Sequence, residues 1–448
     1  MTMDRRNFLK IAGMTGLAVS APFGVRHVLA QPEPYKGPYF VLINASGGWD
    51  PVYLCDPKAK GPLNRIYDGP ATAGNLKYAP IPIDDASLGL EPGGSAYLMS
   101  NQQFFEKYAS QLTVLNGIDM STNNHDGGSR ATWSGRLSEG FPSFGAIVAA
   151  TRAPDSSLAY ISSGGYDATE GLIPLTRMSS IDALRRVAYP NQTDPGSPDT
   201  ALFHSSTTAA RIRKAQEDRL KAQLAQQRLP RVKTAMSELT LARASDDVLK
   251  DLVLPADLVD LPGYQLSDLR DMMQQSQLAV AAFKAGLAVG VNLELGSFDT
   301  HANHDTIQVR QLAKLLRGID YVVEQATAAG IYNQTMIMVG SDFGRGKGYN
   351  GVNPGDGKDH WPVSSAMFLS GDAAMIGGGR LIGGTDEVDQ LPLPIDPDTL
   401  GTLELGDPGG VVITGAHLHL ALRELAGVSE GAPAQKFKLP GEILPFFG

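Results

Sequence analysis

Short continuous apolar runs closed by glycine or polar residues recur along this chain, separated by longer stretches in which apolar and polar positions mix. The run in "PYFVLINASGGWD" predicts a buried strand ending near Asn44. On the same pattern "QLTVLNGI" (111–118), "LAYISSG", "VNLEL", "TMIMVG" and "SSAMFLSG" predict strands. The mixed stretches predict helices in "FGAIVAATR", in "SSIDALRRVA" with Ser179 or Ser180 as its cap, and in "SDLRDMMQQSQLAVAAFKAGLAVG". Two more are expected over about residues 304–329 and in "HLHLALRELAG", with a Gly-rich loop after "TMIMVG". Strands alternating with helices imply an α/β domain: a mostly parallel central sheet flanked by helices. Between Ser205 and Leu252 the pattern becomes a charged, Ala/Gln/Leu-rich helix broken by Pro230, so residues 195–262 read as a helical insertion in a domain spanning 31–448.

The first thirty residues stand apart from that pattern. Arg5 and Arg6 precede an apolar stretch from Ile11 to Gly24 that is too short to span a bilayer. The pair followed by Asn7, Phe8, Leu9 and Lys10 resembles a twin-arginine export signal, and "HVLA" offers a small-residue cleavage site after Ala30. The implied partner is the twin-arginine translocation machinery, and the implied location is periplasmic or extracellular. A membrane-anchored N-terminal helix is the alternative, but no longer apolar run supports a stable transmembrane span.

Composition suits a large globular body, with 42% hydrophobic and 19% charged residues. Residues 1–30 hold four bases (Arg5, Arg6, Lys10, Arg26) and one acid (Asp4), so the rest carries 34 bases against 46 acids. That acidic balance argues against a nucleic-acid partner. The stretch 211–233 is locally basic but carries no interleaved aromatic residues and reads as a solvated helix face. A single cysteine, Cys55, excludes an intrachain disulfide, leaving stability to packing and bound ions.

Ligand-type side chains gather just outside the predicted strands. Asp50 follows "VLINASGGW", Asp299 follows "VNLELGSF", Asp342 follows "TMIMVGS", and His360 precedes "PVSSAMFL". In an open parallel sheet the site lies beyond the carboxyl ends of the strands, so the three aspartates can converge on one crevice. Clustered carboxylates repel unless cations neutralise them, and His125, His301, His304 and His360 offer nitrogen ligands suited to zinc or similar ions. Arg345 and Lys347 in "DFGRGKG" could clamp an anionic substrate or simply be solvated loop cations. "GRGKGYNG" lacks the spacing of a P-loop. His417 and His419, two apart on a helix, point away from each other and stay outside the site.

The blocks "GGWD", "NNHDGGSRATWSG" (123–135), "FDTHANH", "SDFGR" (341–345) and "DHWPV" (359–363) together resemble the DUF1501 family, whose members look like alkaline-phosphatase and sulfatase superfamily proteins. The resemblance implies an alkaline-phosphatase-like α/β fold and metal ligands at Asp50, Asp342, Asp299 with His301 or His304, and His360. Two departures from the superfamily pattern stand out. Phe343 follows Asp342 where a histidine is usual, and His125 stands at the nucleophile turn where a Ser or Thr is expected. A covalent ester on a hydroxyl is therefore in doubt, and His125 becomes a ligand replacing the missing imidazole, a general acid or base, or a nitrogen nucleophile, the first being favoured. Ser129, one helical turn on, is expected to point elsewhere, and Asp305 to cap a helix.

The resulting expectation is an exported hydrolase-like protein with one or two divalent ions, zinc or manganese, at Asp50, His125, Asp299, His301, His304, Asp342 and His360. His125 and Arg345 are its catalytic candidates, and its substrate an anionic small molecule or polymer carrying a phosphate or sulfate ester. The alternative is a non-catalytic envelope protein serving in binding or assembly on the same fold.

Overall fold

The run Tyr39–Ala45, buried at every position, forms the inner strand of an eight-stranded sheet. A computed structural model describes residues 34–447 except 157, 178–188, 190, 195–199, 230, 231, 234, 235, 237–254, 256 and 354. The segment 1–30 expected to direct export, the helix expected at 179–188 and much of the expected insertion lie outside the described residues.

In chain order the strands are β1 (Tyr39–Ala45), β2 (Ala71–Ala73), β3 (Leu76–Tyr78), β4 (Leu112–Asp119), β5 (Tyr160–Ser162), β6 (Thr176–Arg177) and β7 (Gly290–Leu295). They continue with β8 (Thr335–Ser341), β9 (Gly344–Tyr349), β10 (Lys358–Trp361), β11 (Val363–Ser370) and β12 (Arg380–Ile382). The described α-helices are α1 (Asn101–Tyr108), α2 (His125–Ser134), α3 (Phe144–Arg152), α4 (Ser206–Gln226) and α5 (Ser267–Lys284). After these come α6 (His304–Ala328), α7 (Ala373–Ile376), α8 (Gly415–Leu425) and α9 (Ala432–Lys436).

The large sheet runs β12-β4-β11-β8-β1-β7-β5-β6, and every pairing in it is parallel except the two made by β11. This is the mixed, mostly parallel α/β sheet that the alternating pattern predicts. Successive side chains of β1 point to opposite faces. Tyr39, Val41 and Ile43 join a core with Leu269 and Met272 of α5 and Leu312 and Leu316 of α6. Phe40 and Leu42 join a second core with Ile147 of α3 and Leu418 of α8. With helices on both faces, the inner strands β1, β7, β8 and β11 are buried along nearly their whole length rather than alternating.

Strand register brings the chemistry to one edge. Ala45 at the end of β1 lies opposite Leu295 of β7 and Ser341 of β8, so the chain leaves all three strands at the same level. Asp50, Asp299 and Asp342 follow those exits. The reversed strand β11 starts at that edge, with Val363 opposite Asp119 at the end of β4, which is how His360, lying before a strand, reaches residues that lie after strands. The stretch expected to be a Gly-rich loop is instead ordered as β9, paired antiparallel with β10 so that Arg345 faces His360. Helix α4 is capped by Ser205 and buries only Leu220, as a solvated helix would. No helix among the described residues is long and apolar enough to cross a membrane.

Candidate metal centre

The turn after β1 needs glycine. Gly47 has φ +118°, and a Cβ there would lie 2.6 Å from the Asp299 nitrogen, so only glycine lets the β1 and β7 loops meet. Helix α2 starts at Asn124, whose side chain accepts from the Gly127 nitrogen. Its Gly128 packs on the Asp342 backbone so closely that a Cβ would lie 2.2 Å from the carbonyl oxygen. That contact carries His125, the first helical residue, onto the end of β8.

Three imidazoles then surround the Asp299 carboxylate, each oriented by a partner on its far side. His125 Nδ1 donates to Asp342 Oδ2 at 2.9 Å, His301 Nδ1 to Asp359 Oδ1 at 3.1 Å, and His360 Nδ1 to the Asn123 carbonyl at 2.8 Å. Each Nε2 is thereby left with its lone pair, and all three face Asp299, at 3.6 Å from His125, 3.1 Å from His301 and 3.0 Å from His360. The Nε2 atoms of His301 and His360 are 2.9 Å apart. Lone pairs and a carboxylate gathered this way repel unless a cation lies among them, and an N3O donor set suits zinc or a similar ion. One ligand atom each from His125, Asp299 and His360 falls within 4.8 Å of the others, a span that one ion can gather.

Asp342 is buried and also accepts from the Gly47 nitrogen at 3.1 Å and the Ser129 hydroxyl at 3.2 Å. Burial pushes the Asp299 carboxyl up, but the hydrogen bond from Arg345 and the Arg345 charge outweigh it and hold the group at about 2. Arg345 is wholly buried. Its guanidinium donates to the carbonyls of Gly48 and Lys358 at 2.8 and 3.1 Å, to the Gly47 carbonyl, and to Asp299 Oδ1 at 2.6 Å.

The family described as "Protein of unknown function (DUF1501)" matches residues 40–393. The chain belongs to the DUF1501 family. No curated protein matches it. Among solved structures, the PsFucS1 sulfatase from Pseudoalteromonas sp. is similar over 100% of this chain and 77% of its own, with 10% identity and a TM-score of 0.40. A protein in the alkaline phosphatase superfamily from Vibrio parahaemolyticus is similar over 98% of this chain and 80% of that one, at 9% identity and a TM-score of 0.34. A TAB5 alkaline phosphatase mutant with Mg bound in its M3 site is similar over 76% of this chain and 94% of its own, at 9% identity and a TM-score of 0.32. At these scores the likenesses carry no argument about chemistry.

Within this DUF1501 chain the seven sequence-derived ligand candidates divide into two groups. His125, Asp299, His301 and His360 face one another, with Asp342 behind His125. Asp50 and His304 are turned away, fully buried, and bonded to each other through Nε2 and Oδ2 at 2.9 Å. Arg345, read as a substrate clamp and catalytic candidate, spends its donors on carbonyls and on Asp299, so it braces the carboxylate instead of facing a ligand. Lys347, read with it as part of the clamp, is half-exposed and paired with Asp389 at 2.8 Å. Two lesser expectations are corrected. Ser129 points into the site, because the Gly128 contact turns that face of α2 toward Asp342. Asp305 is not the helix cap: Asn303 holds that position with φ +49°, and Asp305 accepts from Tyr53 at 2.5 Å, Arg65 at 2.7 Å and Tyr349 at 2.8 Å. His417 takes part in a capping box with Thr414, and buried His419 bonds the Thr132 carbonyl at 2.8 Å, away from the centre.

Sequence reasoning missed three residues. Lys358 bonds Asp50, Asp359 orients His301, and Thr300 bonds His304 Nδ1 at 2.7 Å. Lys358 and Asp359 immediately precede His360, and Thr300 lies between Asp299 and His301; that adjacency was the local signal.

Proposed function

We propose that the chain is an exported, metal-dependent hydrolase-like protein acting on a phosphate or sulfate ester without a Ser or Thr nucleophile. The observation that carries this reading is the common orientation of His125, His301 and His360, each with Nδ1 engaged and Nε2 free toward Asp299. Those four residues would hold a divalent ion, zinc or manganese, which supplies a Lewis acid and lowers the pKa of a bound water. Asp299 contributes the charge, and His125 takes the place of the absent hydroxyl at the start of α2. Ser129 lies a turn into α2 and donates to Asp342, not at the helix start where a hydroxyl nucleophile is expected, which supports hydrolysis by water. Half-exposed His125, His301 and Asp299 leave the centre open to a bulky or polymeric anionic ester. The Arg5-Arg6 segment supports export through the twin-arginine machinery to the periplasm or beyond, with cleavage near Ala30.

One observation favours the alternative, a non-catalytic envelope protein that binds or assembles: the buried Arg345 guanidinium is consumed internally and gives an anionic substrate no clamp. The two readings separate in one experiment. Natively exported protein is analysed for metal, then assayed on aryl phosphates, phosphodiesters and sulfates with added zinc or manganese, beside Asp299→Ala. Metal-dependent turnover lost in the variant is the expected result. A metal-loaded but inert wild type supports the alternative, and a metal-free wild type removes the hydrolase reading.

A further inference from the structure

The Asp50 group carries an inference that rests on the metal-centre reading above and deepens it. Asp50 Oδ2 accepts from the Lys358 ammonium at 2.7 Å and from His304 Nε2 at 2.9 Å, while Oδ1 accepts from the Val52 nitrogen at 3.0 Å. All three side chains are fully buried. Lys358 Nζ also donates to the Leu63 carbonyl at 2.7 Å and lies 4.8 and 5.1 Å from the ring centroids of Tyr53 and Tyr349. Those rings are themselves fixed, since both hydroxyls bond Asp305 and the Arg65 guanidinium lies 3.6 Å over Tyr349.

The ammonium therefore sits in a built socket. Among the described residues Asp50 is the only carboxylate bonded to it, and the other walls are a carbonyl and two aromatic faces.

His304 differs from the three imidazoles of the metal centre in the sense of its hydrogen bonds. Its Nδ1 accepts from the Thr300 hydroxyl and its Nε2–H donates to Asp50, so neither nitrogen keeps a lone pair for a metal. In the centre the assignment is the reverse, with Nδ1 donating and Nε2 free. A metal at Asp50 would have to expel the ammonium, turn His304 over and strip the Thr300 bond together.

We infer that the Lys358 ammonium takes the place of a second metal ion beside Asp50, so that the chain loads a single ion and neither Asp50 nor His304 ligates it. Charge explains why the replacement is stable. A buried carboxylate needs a neutralising partner, and a lysine in the chain provides one without depending on metal supply.

The test is metal content per chain, measured by mass spectrometry after loading with zinc or manganese and removing excess. Single ions are expected in the wild type, in Asp50→Asn and in Asp50→Asn/Lys358→Met, with loss in Asp299→Ala. A second readout is the unfolding midpoint. The double variant removes the charge pair as a unit and should lie closer to wild type than Lys358→Met, which strands a buried carboxylate. If either single variant does not fold, the double variant carries the count. Two ions in the wild type, or loss of the ion in Asp50→Asn or in the double variant, overturns the replacement and leaves the centre standing. No ion in the wild type overturns the centre itself.

Discussion

His125 Nδ1 and Asp342 Oδ2 lie 2.9 Å apart, with the buried carboxylate behind a half-exposed imidazole. The pairing sends Nε2 toward Asp299 and makes Asp342 a residue that orients a ligand. Removing such an outer partner typically costs about 10–100-fold in metal affinity. Asp342→Ala should therefore weaken binding by that order while keeping the ion count at saturation. Competition titration against a chromophoric chelator reads both; unchanged affinity would count against the orienting role.

His301 and His304 stand three residues apart with different neighbours. His301→Ala should weaken metal binding at least as much as Asp342→Ala, because it removes a free Nε2. His304→Ala should leave affinity within a few-fold and lower the unfolding midpoint, since it empties a fully buried position beside Asp50. The same titration with a thermal melt distinguishes them.

Gly128 is where α2 meets β8. An alanine there would put a Cβ 2.2 Å from the Asp342 carbonyl oxygen, which backbone cannot yield cheaply. Gly128→Ala should destabilise by about 1–3 kcal/mol and weaken metal binding by moving His125. Gly69→Ala, where a Cβ meets nothing within 4 Å, is the control. Urea unfolding of both variants gives the comparison.

Arg345 braces Asp299 and three carbonyls from a fully buried position. Arg345→Met strands those acceptors and should cost on the order of 3–5 kcal/mol. Arg345→Lys keeps the charge but not the fork, and should recover only part of the loss. An intact fold with a raised KM alone would restore Arg345 as a substrate clamp.

Acid should destabilise the protein in two windows. Burial holds His419 down at about 3 and His304 below its ordinary 6.5, so both stay neutral in the fold while the unfolded chain takes up protons. Their contribution is present above about pH 6.5 and is lost as pH falls below it. Burial raises the Asp50 carboxyl, but the Lys358 charge and the His304 bond outweigh it and hold it at about 2, so its contribution is present above 3.8 and lost toward pH 2. His419→Gln keeps a donor for Thr132 and should flatten the first window by about 1 kcal/mol per pH unit. Urea midpoints from pH 7.5 to 4 measure that slope.

Six of the eight sheet strands were legible because inner strands covered on both faces are apolar along most of their length, and runs such as "YFVLINA" have no other good use; the short edge strands β6 and β12 carry no such run and were not foreseen. The crevice was legible for a related reason. Asp50, Asp299 and Asp342 each lie a few residues beyond such a run, and parallel strands of matched register release their chains at one edge. His360 was grouped with them because it lies just before a predicted strand and falls in a family block; its physical route, the reversal of β11, depends on pairing with β4 and β8, which no local pattern encodes. The β9–β10 hairpin was hidden by glycines that read as loop.

The residue types of the site and their edge of the sheet follow from local sequence, since strand periodicity and the residue after a strand are short-range properties. The division of labour among those residues does not. Which imidazole nitrogen stays free depends on the acceptor behind it, Asp342, Asp359 or the Asn123 carbonyl, and which carboxylate can share a metal depends on whether free nitrogens face it, as at Asp299, or an N–H and an ammonium do, as at Asp50. Arg345 lies against Asp299 and Lys358 against Asp50 across 46 and 308 positions of sequence. Such pairings arise only when distant segments pack, and burial then makes them strong enough to set the role of every ligand-type side chain in the cleft.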